Sequence, residues 1–206
     1  MKNVQTRSVV IGLAATIVLA VSPIAAAQVP DGPLLLHASF VTLTAAGAST
    51  NHVMEITIDK YSSNNDKVEL VDAMIKGGQD AALSRMQRMV FKGRMRIPDW
   101  TGPDPNGYKA GWEIRYVWRE PMPDGGTRLV IGTDRPLRLD ETLEDPRIAN
   151  YPFTFIEIHL PKSGKGEGRM DGRTRVVFDK DKKSIQFAQF SAAPFMLSDV
   201  TVEARK

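Results

Sequence analysis

Cysteine is absent from this chain of 206 residues. Without a thiol the protein can form no disulfide, no thiolate-bound zinc site and no iron–sulfur cluster, and it has no cysteine nucleophile. Disulfides are common in exported domains, but a domain of this length does not need them. The absence excludes these kinds of site and leaves the apolar core to hold the fold together.

Histidine is scarce, and the short motifs of metal binding and catalysis are missing. The three histidines, at positions 37, 52 and 159, form no HExxH pair or other close metal-binding spacing. No GxSxG sequence provides the elbow on which a serine nucleophile sits. We therefore predict no metal site and no cofactor.

Two segments imitate ligand-binding loops but lack the required spacing. The glycine-rich segment 163–168 has no GK[ST] ending and precedes a predicted strand, whereas a phosphate loop precedes a helix. Asp99, Asp104 and Asn106 do not follow the alternate-position spacing of an EF-hand loop. Because Asp, Asn and Gly are ordinary turn formers, both segments are predicted to be turns.

Long apolar runs are confined to the N-terminus. Lys2 and Arg7 flank an apolar stretch over residues 9–21, and Ala25-Ala26-Ala27 supplies the small residues of a cleavage site. The stretch is shorter than the ~20 residues of a membrane-spanning helix. Residues 1–27 are therefore predicted to be a signal peptide that directs the protein to the periplasm or out of the cell. The alternative is an uncleaved anchor.

Residues 28–206 are predicted to form a single β-rich domain with no membrane span. The predicted signal carries two of the 27 basic residues and none of the 24 acidic ones, so the remainder is nearly neutral. Nucleic-acid partners need a concentrated basic face, which a neutral chain does not indicate. We therefore expect no nucleic-acid partner. The partner is expected to be an apolar small molecule or another envelope protein.

Apolar alternation with period two dominates the domain and predicts about nine strands. Residues 52–61 and 112–119 show it most clearly, and 167–178 is predicted to be one continuous strand. Hairpin-length turns between strands favour antiparallel pairing. The fold class is therefore mainly β, a β-rich α+β fold: an antiparallel meander that is either barrel-like or a sandwich.

A change of period over residues 65–90 predicts a short helical hairpin inserted between strands. Asp66 and Glu69 have the spacing of a capping box, which places the helix start at Asp66. Gly77-Gly78 ends the first helix, and a second short helix follows. We expect this hairpin to cover one end of the sheet.

Glu157 and His159 are the catalytic candidates. By alternation they lie on one face of a predicted strand over residues 152–160, opposite Ile156 and Ile158. A carboxylate two residues from an imidazole can serve as an acid/base pair. The same pair can equally be a solvated or orienting contact with no chemistry.

Trp112, Tyr116 and Trp118 are the ligand-binding candidates. They alternate with polar residues and are predicted to form one aromatic stripe. In a closed sheet such a stripe either fills the core or lines a cavity for an apolar ligand.

The order of several motifs resembles a family of uncharacterised exported bacterial proteins, numerous in soil acidobacteria. The resemblance covers most of residues 50–204, and the matching segments are Glu55–Asp59, Gly77–Ala81, Thr133–Pro136, Tyr151–Thr154 with Ile156-Glu157, and Gly164–Gly168. It implies export but no activity, cofactor or catalytic residue.

Three hypotheses for function follow from these patterns. The first is a non-catalytic exported module that binds a small ligand or a partner on its aromatic stripe. The second is a hydrolase or isomerase that uses Glu157 and His159. The third is a structural envelope protein.

Overall fold

The structure is a computed structural model that describes residues 29, 31–43, 47, 49–101, 104, 107–137, 153–162, 165–171, 176–179, 184–187 and 195–205. The predicted signal peptide, with its cleavage site after Ala27, lies outside the described residues. So do Asn106 and part of the glycine-rich segment 163–168.

The described part of the chain contains ten strands and one broken helix. In chain order they are β1 (Leu34–Leu43), β2 (Ser49–Ile58), α1 (Asn64–Gln87), β3 (Gly93–Arg96), β4 (Trp112–Pro121), β5 (Thr127–Thr133), β6 (Phe155–Leu160), β7 (Gly166–Asp171), β8 (Val176–Asp179), β9 (Ser184–Phe187) and β10 (Phe195–Ala204).

Eight antiparallel strands close into a barrel in the order β1-β10-β7-β6-β5-β4-β3-β2. Closure pairs every backbone edge, which is how an antiparallel sheet of this size avoids exposing unpaired strand edges. The predicted mainly β class is confirmed, and the architecture is the barrel of the two alternatives. The single strand predicted over 167–178 is wrong, because β7 ends at Asp171 and β8 pairs with β9 in a separate two-stranded sheet.

The barrel interior is filled with side chains from alternate strand positions. Leu34 and Leu36 on β1 face inward beside Ile56 and Ile58 on β2, and all four are fully buried. An eight-stranded barrel is just wide enough for side chains to fill it. The period-two pattern of the sequence therefore corresponds to the burial of every second side chain along each strand.

The helical segments of α1 form a hairpin, as predicted. Gly77 and Gly78 have non-helical backbone angles inside α1, and Gly78 adopts a positive φ of 67°. The Arg85 guanidinium contacts the carboxylate of Glu69, sixteen residues earlier. A continuous helix would separate the two residues by about 24 Å along its axis. The chain therefore turns back on itself at the two glycines.

The helix starts at a different cap from the predicted one. Ser63 is the N-cap, its hydroxyl accepts from the backbone N–H of Asp66, and the Asp66 carboxylate accepts from the backbone N–H of Ser63. Asp66 is the third helical residue, and the buried Lys92 ammonium also binds its carboxylate, at 2.9 Å. Burial raises the pKa of Asp66, but the hydrogen bonds from Ser63 and Lys92 outweigh it and lower the pKa overall.

The hairpin lies against the wall of the barrel, which corrects the prediction that it covers one end. Met86 of α1 packs in one buried cluster with Tyr116 of β4, Val130 of β5 and Phe155 of β6. Gly132 on β5 permits this approach, because a Cβ there would lie 3.1 Å from the Met86 sulfur. Among the described residues, no helix has the length and apolar character needed to cross a bilayer.

Candidate functional site

Glu157 is the centre of an ionic cluster on the outer wall of the barrel. It lies on β6 between Arg128 of β5 and Arg169 of β7. Arg128 Nε donates to Oε1 at 2.7 Å, and Arg169 donates to Oε2 through Nε at 3.0 Å and Nη2 at 2.6 Å. His159 Nε2 lies 2.9 Å from Oε1, and Arg128 also contacts the carboxylate of Glu120. We call these five residues the wall cluster.

The wall cluster holds Glu157 in its ionised form. Burial raises the pKa of this carboxyl, but the hydrogen bonds from Arg128, Arg169 and His159 outweigh that effect and lower the pKa to about 2 overall. The side chain is only 7 % exposed. A carboxyl with so low a pKa carries no proton to donate near neutral pH, and it is a weak base.

The structure therefore brings the predicted Glu157/His159 pair into contact, but both carboxylate oxygens are already engaged. Such a geometry is that of a cross-strand ion network that fixes strand register. The imidazole of His159 is part-exposed and has Glu157 as an orienting partner. This arrangement favours the second interpretation of the pair, in which the two side chains form an orienting contact and catalyse no reaction.

The predicted aromatic stripe is divided between two faces of the barrel. A β-bulge at Arg115 shifts the register between β4 and β5, so that Ile114 pairs with Thr133 but Tyr116 pairs with Gly132. The extra residue reverses the facing of every position after it. Trp112 therefore lies in the barrel core, whereas Tyr116 and Trp118 lie outside with α1. The prediction of one continuous stripe is wrong.

Trp112 instead belongs to a group of rings that closes one end of the barrel, here called the aromatic end. His52 stacks on Trp100 with ring centroids 4.9 Å apart, Trp100 lies 4.1 Å from Tyr108, and Tyr108 lies 5.4 Å from Trp112. Phe40 extends the group on the other side of His52, at 5.4 Å. Contacting rings of this kind fill space and exclude water.

The loop between β3 and β4 supplies two of these rings, and aspartates hold it in place. The Asp104 carboxylate accepts from the backbone N–H groups of Tyr108 and Lys109, and Asp99 accepts from the backbone N–H of Val53 at 3.1 Å. Both aspartates anchor the loop by accepting hydrogen bonds from backbone N–H groups, in keeping with the prediction that this segment forms turns.

The opposite end of the barrel holds an open cleft of about 620 Å³. We call it the barrel-end cleft. Three separate segments meet there: the lead-in before β1, the turn between β4 and β5, and the turn between β6 and β7. Its lining residues are Val29, Asp31, Arg119, Pro121, Gly125, Gly126, Thr127, Leu160, Pro161 and Lys162.

Arg119 is the best-positioned polar group of the barrel-end cleft. Its guanidinium lies 2.5 Å from Asp31 and 4.7 Å from the centre of the Tyr61 ring, and Nη1 donates to the carbonyl of Val29 at 3.4 Å. Burial raises the pKa of Tyr61 above its ordinary value, although Arg119 acts in the opposite direction. The guanidinium is therefore fixed at the cleft by a carboxylate, a ring and a carbonyl.

Sequence reasoning did not identify the barrel-end cleft. Its lining residues come from segments about 30 to 130 positions apart, and none has an unusual local pattern. The two turns were recognisable from Pro123–Gly126 and from Lys162 onward, but only barrel closure places them side by side.

In the described part of the chain, no group of three His, Asp or Glu residues is arranged to hold a metal ion. No family model, curated protein or solved structure matches this chain in comparisons with known proteins. The likeness to exported acidobacterial proteins therefore stays a prediction.

Proposed function

We propose that this protein is an exported, non-catalytic binding module that takes a small molecule in the barrel-end cleft. The observation that carries the proposal is the cleft itself, about 620 Å³ at the end of a closed barrel. Small-molecule sites have volumes of roughly 300–1,000 Å³ and occur preferentially in places such as barrel mouths.

The chemistry of the lining favours a partly apolar ligand. The lining is mixed: Val29, Pro121, Leu160 and Pro161 offer apolar surface, and the polar side chains are those of Asp31, Arg119, Thr127 and Lys162. Among these, Arg119 is held by Asp31 and by the Val29 carbonyl. Sites that combine an apolar lining with few polar groups use the former for affinity and the latter for orientation. We expect a ligand with an apolar body and a hydrogen-bond acceptor directed at Arg119.

The state of Glu157 supports binding without catalysis. Its carboxylate is committed to Arg128, Arg169 and His159, and the wall cluster includes none of the residues that line the cleft. The acid/base pair suggested by the sequence is thus separate from the space in which a ligand fits.

Export is proposed from the N-terminal sequence, in which an apolar stretch over residues 9–21 precedes Ala25-Ala26-Ala27. Intact-mass measurement of the protein recovered from its host's envelope fraction tests it. The expected mass is that of a chain that begins at Gln28. A full-length chain that stays with the membrane would contradict cleavage.

Native mass spectrometry of the same material tests ligand binding. The expected result is additional mass that is lost on denaturation. Thr127→Trp places a large ring in the cleft and should remove the adduct, whereas Thr50→Trp, at an exposed site near the aromatic end, should keep it. A bare wild-type mass contradicts the proposal, and an adduct that persists on a folded Thr127→Trp variant places the ligand elsewhere.

A further inference from the structure

A second concave surface lies on the outer wall of the barrel, away from the barrel-end cleft. It has a volume of about 550 Å³ over β2 and β3, and we call it the basic groove. Its charged lining residues are four cations and two carboxylates: Arg94, Arg96, Lys109, Arg205, Glu55 and Asp59.

The groove is built by the end of the loop between β3 and β4. Gly111 adopts a φ of +87°, and a Cβ there would lie 3.0 Å from the Cβ of Arg96, so only glycine lets the loop approach β3 so closely. The Arg135 guanidinium donates to the Gly111 carbonyl at 2.6 Å, and Gly111 donates to the Gly107 carbonyl at 2.7 Å. These contacts bring Lys109 to the strands that carry the arginines.

Both carboxylates of the groove are already paired. Glu55 lies 2.6 Å from the guanidinium of Arg96, and Asp59 lies 2.9 Å from that of Arg205. These pairs neutralise two of the four cations and fix their guanidinium groups at the rim.

Arg94 and Lys109 are the two uncompensated cations. Within the described part of the chain neither forms an ion pair, and the hydrogen bond given by the Arg94 side chain is a long one, 3.4 Å, to the carbonyl of Ala110. Glu113 is opposite Arg94 on β4, but its carboxylate contacts Arg115. Among the described residues, the lining of the groove therefore has an excess of two positive charges, and the Arg94 guanidinium is held only by the long hydrogen bond to Ala110.

We propose that the basic groove binds a phosphate-type oxyanion through Arg94 and Lys109. A planar guanidinium matches two oxygens of a phosphate or sulfate group, and an ammonium adds a point charge from a second direction. Because Glu55 and Asp59 neutralise Arg96 and Arg205, the excess positive charge of the groove lies on Arg94 and Lys109. This site is independent of the barrel-end cleft, with which it shares no lining residue.

Phosphate titration of the isotope-labelled protein at constant ionic strength, followed by NMR, tests the assignment. The expected result is saturable shifts of backbone amides in β3 and in residues 107–111. Arg94→Gln combined with Lys109→Gln should weaken binding by about tenfold or more, because it removes two charge-assisted contacts. Neither residue is buried, so the fold should be kept.

The matched control is Arg88→Gln combined with Lys76→Gln. It removes the same charge from two exposed positions, Lys76 on α1 and Arg88 at its C-cap, and should leave the binding constant unchanged. Equal weakening in both double variants would show a general charge effect and overturn the proposal. Shifts that never saturate, or that map outside the groove, would overturn it as well.

The phosphate group can belong to a soluble molecule or to a lipid headgroup. Glycerol phosphate and phosphatidate-containing vesicles, each compared with the two double variants, distinguish these sources. Groove-dependent binding of either one supports the oxyanion site, and groove-independent binding of both contradicts it.

Discussion

The two ends of the barrel are built from the same sheet but are closed differently. At the aromatic end, the rings of Phe40, His52, Trp100, Tyr108 and Trp112 contact one another in sequence. At the other end the chain turns through small residues and leaves a cleft of about 620 Å³. Large rings fill the space at a barrel mouth, whereas tight turns leave it open.

Turn geometry explains the open end in more detail. Gly125 has a φ of +81°, and a Cβ on Gly126 would lie 2.6 Å from the carbonyl oxygen of Leu160. The turn between β4 and β5 therefore excludes side chains at these two positions. One end of the barrel is therefore filled by packed rings, whereas the other keeps the cleft in which we propose that a ligand binds.

Trp112→Ala should have the largest effect, because it opens a cavity at the aromatic end. Trp112 is 1 % exposed, and its indole N–H donates to the carbonyl of Pro136 at 3.3 Å. Replacement of a buried large aromatic by Ala costs about 3–5 kcal/mol. Urea denaturation should show this loss, with Trp118→Ala, in a part-buried site on the outer wall, losing less. The reverse order would contradict the placement of Trp112 in the core.

Glu157→Gln tests the wall between the two ends. It removes the charge that binds Arg128 and Arg169, and we expect a loss of about 2–3 kcal/mol near neutral pH. The pKa of Glu157 is lowered in the folded state to about 2, so the stability it contributes is present above the ordinary carboxyl pKa of about 4.3.

That contribution should be lost as the pH falls from about 4.3 towards about 2. Denaturation measured across this range should give a steeper decline in wild type than in Glu157→Gln. Parallel declines would mean that Glu157 is not held ionised by its neighbours.

Asp104→Ala and Asp124→Ala compare the loop anchors of the two ends directly. Asp104 accepts from two backbone N–H groups in the loop of the aromatic end, whereas Asp124 accepts from one, that of Gly126 at 2.8 Å, in the turn at the cleft. At about 0.5–1.5 kcal/mol for each hydrogen bond, Asp104→Ala should cost more. Thermal unfolding of both variants measures this difference in stability. Equal unfolding midpoints would mean that the loop anchors at the two ends contribute equally to stability.

Asp31→Asn should have the smallest effect on stability. Asp31 is 89 % exposed, and exposed ion pairs contribute little. We expect no more than about 0.5 kcal/mol in denaturation, and a change in ligand retention if Arg119 orients the ligand. A large loss of stability would show that the lead-in segment belongs to the core.

The strand pattern was largely predictable, because period-two alternation follows directly from the side-chain geometry of a half-buried strand. The helical hairpin was predictable from Gly77-Gly78. Its cap was not, because Ser63 and Asp66 are both good capping residues. In the structure Ser63 is the cap, and the Asp66 carboxylate binds the backbone N–H of Ser63 and the ammonium of Lys92, 26 positions later.

The candidate sites were less predictable. Glu157 and His159 were correctly placed on one face, but the arginines that bind Glu157 come from β5 and β7. The prediction that Trp112, Tyr116 and Trp118 form one stripe was wrong, because the bulge at Arg115 depends on how β4 pairs with β5. The local sequence around Arg115 contains no signal that predicts the extra residue of this bulge.

Local sequence thus decided the strands, the turns, the break in the helix and the exclusion of thiol chemistry. These features depend on side-chain period, backbone freedom and residue type, which act over a few positions. Tertiary structure alone decided barrel closure, the face on which each aromatic lies, the barrel-end cleft and the basic groove. Each of these joins residues from distant segments, and only strand pairing brings such segments together.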